Sequence, residues 1–346
     1  MVSVKAQGWR LFDELIYRAE TTPAEPNPWC VSHDGGDLLY RPDYATLCWL
    51  LAVPRLLNAT SQSGVPALAL DVWTSYELRR AGFARDAVWP RPAAPRVLPT
   101  EVAALLSALP ARQRTALEAR IAKGDVKGAV AASANVLGKN YVKQVDVVIS
   151  AWNTGPELMV STKRMDSSFG KNAANRVEES YGDAKNLRLR HPQSALGFLY
   201  GLRSKALAQE PDKPDWLIDL LTKLGKEDDA YDAVGLVIPD WLDSAPADDP
   251  DDGGTDDDDD PLVEAGVVTT NTDAGEAANL SQNALSELVA QLTPVGLRRD
   301  AVPAELDPGR FFGVMVRRVL DSCPVNFHRV VRSKMSNPSS APMPTP

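Results

Sequence analysis

The chain has 346 residues, 44% of them apolar, enough for one large domain, or a domain with an appendage, around a sizeable core. Its net charge is −9, but eleven aspartates and no Lys or Arg fall between residues 240 and 260; taking those eleven charges out of −9 leaves +2, so the acidity belongs to one segment. Three distant cysteines (Cys30, Cys48 and Cys323) point to a reducing cytoplasm and exclude a disulfide framework or a Cys-x-x-Cys knuckle. With only His33, His191 and His328 beside them, a zinc site is not expected. The opening MVSVKAQGWRLFDEL lacks the basic and apolar regions of a signal peptide, and the longest apolar run, residues 45–59, is interrupted by Pro54 and Arg55, so no membrane span is expected.

In chain order, residues 8–20 carry Trp9, Phe12, Leu15 and Ile16 at helical spacing, and a Pro-rich loop follows. Residues 42–58 read as an apolar helix capped by Asp43, and residues 68–82 as a helix stopped by Gly82. Further helices are predicted over 100–109, capped by Thr100, over 111–122 and over 126–143. The period then changes. Residues 145–150 and 157–165 alternate like strands across a Gly-Pro turn. Residues 169–190 return to helical spacing, with Val177, Tyr181 and Ala184 on one face. A buried strand over 195–202, a helix over 216–224 and a last strand over 230–238 complete the core, so helices precede a β-β-α-β run. Residues 244–279 have the composition of a disordered acidic linker. Helices over 280–292 and 310–322 and a tail follow. The expected parts are 1–125, mostly helical; 126–243, the core; 244–279, the linker; and 280–346, a helical C-terminal region.

The hairpin 145–163 carries the chemistry. Alternation puts Glu157, Ser161 and Lys163 on one face of the second strand and Leu158 and Val160 on the other, with Asp146 on the neighbouring strand. A polar row facing a carboxylate suits Mg²⁺, which takes one or two carboxylates plus waters and phosphate oxygens. Asp146 would be the main ligand, and Glu157 or a helix glutamate the second. Lys163 would position the attacking water and offset charge on the scissile phosphate. A solvated surface hairpin would show the same Asp146 and Lys163. Two features favour a site: the polar stretch STKRMDSSFGKNAANR that follows, and the seven Lys/Arg against four Asp/Glu in residues 161–190.

These residues resemble the PD-(D/E)XK nuclease superfamily, the fold of many type II restriction endonucleases: an Asp opening one strand, then Asp or Glu, one residue and Lys on the next. Asp146 and Lys163 match; Ser161 stands at the acidic position, and Val145 where the pattern has Pro. The resemblance covers roughly residues 130–205 and is strengthened by the order helix, Asp strand, Lys strand, polar helix, buried strand. In the S-x-K variant of the motif the missing acid comes from the next helix, which implies Glu178 here, with its neighbour Glu179 also in range. The implied fold is α/β: a helical N-terminal half on a mixed sheet of restriction-endonuclease-like type. The implied protein is a Mg²⁺-dependent type II site-specific deoxyribonuclease acting on double-stranded DNA. It would have a cognate DNA methyltransferase as genetic partner and, to match a twofold palindrome, often a homodimeric state.

Arg164 and Lys171 are candidate phosphate contacts, and Asn172, Asn175 and Arg176 candidate contacts to phosphates or base edges. Residues 72–96 hold five Arg among Trp73, Tyr76, Phe83 and Trp89, which reads equally as a DNA-facing element or as core aromatics with surface arginines. No GxxxxGK[ST], GxSxG or HExxH occurs. Two other readings stand beside the nuclease: a non-catalytic DNA-binding or complex-assembly protein with a degenerate nuclease fold, and a helical scaffold with an acidic tail.

Overall fold

A computed structural model describes residues 3–23, 26–32, 36–60, 63–122, 126, 131, 133–166, 173–209, 212–241 and 281–339. The chain is α/β, with eleven helices and a mixed five-stranded sheet among the described residues. The expected linker, 244–279, lies outside them. No helix among them is long and apolar enough to cross a membrane.

The N-terminal part is mostly helical. Helix α1 (Val4–Thr21) is capped by the Ser3 hydroxyl, which accepts from the Ala6 N–H at 3.2 Å. A short hairpin, β1 (Trp29–Val31) and β2 (Leu38–Tyr40), leads to α2 (Tyr44–Leu56), where Asp43 caps Thr46 N at 2.9 Å as its sequence position predicts. Helix α3 (Val65–Ala81) is buried on nearly every side and ends at Gly82, whose φ of 110° favours glycine. Strand β3 (Val88–Trp89), α4 (Thr100–Ala108) and α5 (Ala111–Ala122) follow. Thr100 is the first residue of α4, not its cap; Pro99 holds the cap position and offers no side-chain bond.

The helix expected over 126–143 is overturned. Strands β4 (Ala134–Leu137) and β5 (Val142–Val145) form an antiparallel hairpin there. Asn186, from a helix further on, organises its turn. Its Oδ1 accepts from Asn140 N at 2.8 Å, and its Nδ2 donates to the Tyr141 carbonyl at 3.1 Å. Strands β6 (Val147–Ala151) and β7 (Gly155–Met165) are the expected hairpin, and helix α6 (Ala173–Arg190) follows. Val177 and Ala184 are buried, but Tyr181 is 40% exposed, so it does not share their face. Strand β8 (Ala195–Leu202) is buried at every residue. Then come α7 (Lys205–Gln209), α8 (Asp212–Leu224), β9 (Ala233–Val237) and β10 (Pro239–Asp240). The C-terminal region holds α9 (Gln282–Gln291), β11 (Gly296–Leu297), α10 (Pro308–Ser322) and α11 (Arg329–Ser336).

The sheet order is β3-β6-β7-β8-β9; the β3/β6 and β6/β7 pairs are antiparallel, and β7/β8 and β8/β9 parallel. Strands buried on both faces read as continuous apolar runs, which is why the ALGFLYGL run is legible. One face, with Val147, Ile149, Leu158 and Val160, packs under α1–α3 and α10. The other, with Val148, Met159, Phe198 and Tyr200, packs under α6 and α8. Helix α10 is thus part of the main core: Phe311 and Phe312 are almost fully buried beside residues of α1–α3. Each such side chain contributes about 1.5–3 kcal/mol. Close approach of α10 needs glycine in the sheet, because a Cβ on Gly235 would lie 2.9 Å from Leu199 Cδ1 and 3.2 Å from Phe311.

A buried ionic network fixes α2 against α3. The fully buried Glu77 carboxylate accepts from Tyr40 Oη at 2.9 Å, Arg80 Nη1 at 2.6 Å and Asp43 N at 2.7 Å. Asp43 Oδ2 in turn accepts from Tyr76 Oη at 2.9 Å.

Candidate functional site

Asp146 occupies the single bend between β5, which belongs to the small hairpin, and β6, which enters the main sheet. Its Oδ2 accepts a hydrogen bond from the Thr162 backbone N–H at 2.7 Å, which holds the carboxylate against β7 between Ser161 and Lys163. The register Val147↔Val160 brings the two strands level there.

Strand parity holds along this part of β7. Thr162 and Arg164 turn towards α3, where the Thr162 hydroxyl donates to Asp71 and Arg164 Nη1 donates to the Pro66 carbonyl at 3.1 Å. Ser161 and Lys163 take the other side, with Met159 and Met165. Ser161 is buried and hydrogen-bonds Tyr231, which also donates to the Ser180 carbonyl of α6 at 2.8 Å and stacks on Phe198. Burial, reinforced by the Asp183 and Asp146 charges, holds the Tyr231 phenol well above its usual range, so it stays protonated. Lys163 is half-buried, in register with Tyr200 of β8.

Glu157 departs from the expected face. Ile149 pairs with Leu158 and Ser150 with Pro156, so Glu157 is the extra residue of a β-bulge. A bulge breaks the alternation on which the parity argument rests. The buried Glu157 carboxylate turns instead towards the side packed by α1–α3 and α10, with Oε2 2.8 Å from His328 Nε2 and within 4.8 Å of the Cys323 ligand atom. Glu157 therefore does not join Ser161 and Lys163.

Glu178 is exposed on α6, next to the inward-facing Val177. Arg164 is not placed for a phosphate contact: it is buried, bonded to Pro66 and to Asp166 at 2.9 Å, and its guanidinium lies 5.5 Å from the Trp241 ring. Arg55 and Arg203 approach the same indole at 5.6 and 4.4 Å. Lys171 and Asn172 lie outside the described residues; Asn175 and Arg176 fall in the first turn of α6, their side chains undescribed.

The stretch 72–96 resolves in favour of core aromatics. Trp73, Tyr76 and Phe83 are buried. Arg79 pairs with Glu20 at 3.2 Å, Arg80 with Glu77, Arg91 with Asp86 at 2.7 Å and Arg96 with Asp13 at 2.7 Å. These arginines bind the protein to itself.

Sequence reasoning missed Tyr231 and Thr162, which hold Ser161 and Asp146. It also missed the meeting of Glu157 with Cys323 and His328. No local signal announces that meeting, since the residues lie on β7 and on the segment that follows α10. The chain matches no family model, no curated protein and no solved structure.

Proposed function

We propose that the chain is a Mg²⁺-dependent deoxyribonuclease with a PD-(D/E)XK-type core, hydrolysing phosphodiester bonds of double-stranded DNA in the manner of type II restriction endonucleases. The observation that carries this reading is Asp146 bonded to β7 between Ser161 and Lys163, on a strand followed by a polar helix and a buried parallel strand. The donors fit Mg²⁺ in kind: Asp146 would hold it, with Glu178 as second carboxylate, while Glu157 is diverted to His328. Bound there, the ion supplies positive charge at the scissile phosphate. Lys163 orients the attacking water and offsets phosphate charge. Ser161 fills the usual acid position and, through Tyr231, keeps β7 registered against α6. A cytoplasmic setting, a cognate methyltransferase and a twofold dimer belong to the same reading.

A second reading has its own support. Asp146 and Glu157 are the only acids in residues 146–165, and Glu157 points elsewhere. One carboxylate and a serine tied to Tyr231 suit a non-catalytic DNA-binding or assembly protein with a degenerate nuclease fold. Incubating unmodified plasmid with Mg²⁺ and the wild type, Lys163→Ala or Asp146→Ala separates the two. Fragments from the wild type alone support the nuclease; DNA retention without cleavage supports the binding protein. Cleavage that persists in both variants, or no affinity for DNA at low salt, overturns the assignment.

A further inference from the structure

We propose that Glu157, Cys323 and His328 form a site for a transition-metal cation of the zinc class, which clasps the β6–β7 bulge to the segment between α10 and α11. One ligand atom from each residue lies within 4.8 Å of the other two. Around tetrahedral zinc, with bonds of about 2.0–2.3 Å, ligand atoms lie roughly 3.3–3.8 Å apart, so small side-chain adjustments bring these three onto one ion.

The Glu157–His328 contact is not that of a satisfied pair. Oε2 and Nε2 are 2.8 Å apart, yet neither atom makes a hydrogen bond of acceptable angle, and both are buried. A buried carboxylate oxygen without a donor aimed at it calls for a compensating charge, and a cation between the two groups supplies one. Two ligands of one tetrahedral ion sit roughly 3.3 Å or more apart, so a bound cation would spread this pair by about half an ångström.

The backbone presents all three groups deliberately. The bulge swings Glu157 off its expected face. Cys323 is the residue at which α10 ends. His328 precedes α11 with φ of 50°, a left-handed conformation uncommon for a residue other than glycine, and its ring is held edge-on between Phe83 and Phe327 at centroid distances of 5.0 and 6.3 Å. Thiolate, imidazole and carboxylate together select zinc-like ions over Mg²⁺ or Ca²⁺, and three protein ligands leave a fourth position for water. The site lies on the sheet face opposite Ser161 and Lys163, and so stands independently of the nuclease reading.

The competing arrangement is an imidazolium–carboxylate pair with a bystander thiol. The test uses the full chain, stripped with chelator and titrated with Co²⁺ alone. One equivalent should produce visible ligand-field bands of tetrahedral cobalt and a near-ultraviolet thiolate charge-transfer band, both removed by added Zn²⁺. Cys323→Ser should abolish the charge-transfer band, and Glu157→Gln and His328→Asn should each weaken Zn²⁺ binding by roughly tenfold or more. Circular dichroism of each metal-free variant checks its fold. Absence of tetrahedral bands in the wild type, or a charge-transfer band that survives in Cys323→Ser, would overturn the proposal.

Discussion

The Asp146 carboxylate is bonded to the backbone N–H of Thr162, and the hydroxyl of that same threonine donates to Asp71 on α3. One residue of β7 thus carries two ties, a main-chain one to the bend before β6 and a side-chain one to α3. Because the tie to Asp146 uses a main-chain donor, an amide oxygen can replace the carboxylate as acceptor. On the proposed nuclease reading, Asp146→Asn should change the unfolding free energy from urea denaturation by less than about 1 kcal/mol, while plasmid cleavage falls by roughly a hundredfold or more. A variant that cleaves normally would remove Asp146 from the chemistry.

The Glu77 network makes a stability prediction independent of function. Glu77→Gln preserves the shape but leaves Arg80 buried without its carboxylate partner, now 2.6 Å away. Breaking a buried pair from one side costs about 3–5 kcal/mol. Equilibrium denaturation should show a loss of that order; a change below about 1 kcal/mol would mean that solvent or a rearranged neighbour takes the place of Glu77.

Helix α10 can sit close to the sheet because of glycines beneath it. Gly235→Ala would place a methyl 2.9 Å from Leu199 Cδ1 and against Phe311, so the helix must lift or the leucine must turn. Overpacking of this kind costs about 1–3 kcal/mol. Thermal unfolding of Gly235→Ala reads this directly, and an unchanged midpoint would show that α10 yields freely.

Arg96 tests the fate of the arginine-rich stretch. It forks onto Asp13 with Nη1 and Nη2 at 2.7 and 2.9 Å and lies 3.9 Å over the Trp9 ring. Lysine cannot reproduce the fork. Arg96→Lys should lower stability by about 1–3 kcal/mol and leave DNA retention in a gel shift unchanged. Weaker retention with unchanged stability would restore this loop as a DNA contact.

Much of the fold is written locally. The run Ala195–Leu202 is apolar throughout because both faces are covered, and Gly82 ends α3 because only its φ allows that turn easily. The same parity that separates Leu158 and Val160 from Ser161 and Lys163 survives in β7. What fails is whatever depends on distant partners. The stretch 134–145 forms a hairpin whose turn is organised by Asn186, a residue some forty-five positions away. The bulge at Glu157 is invisible to an alternating pattern, and its partners Cys323 and His328 come from the far end of the chain.

The pairing of β10 with β11 has a consequence for chain architecture. Pro239 and Asp240 lie against Leu297 and Gly296, so the chain between Asp240 and Gly296 is closed at one stitched point. Lengthening such an excursion costs only about 0.6 kcal/mol per doubling. A single proteolytic cut inside it would yield a large piece and a small one, the small one bringing Phe311, Phe312 and Met315 to fill the large one's core. The two pieces should then remain together through gel filtration, held as a non-covalent complex, and neither should fold without the other.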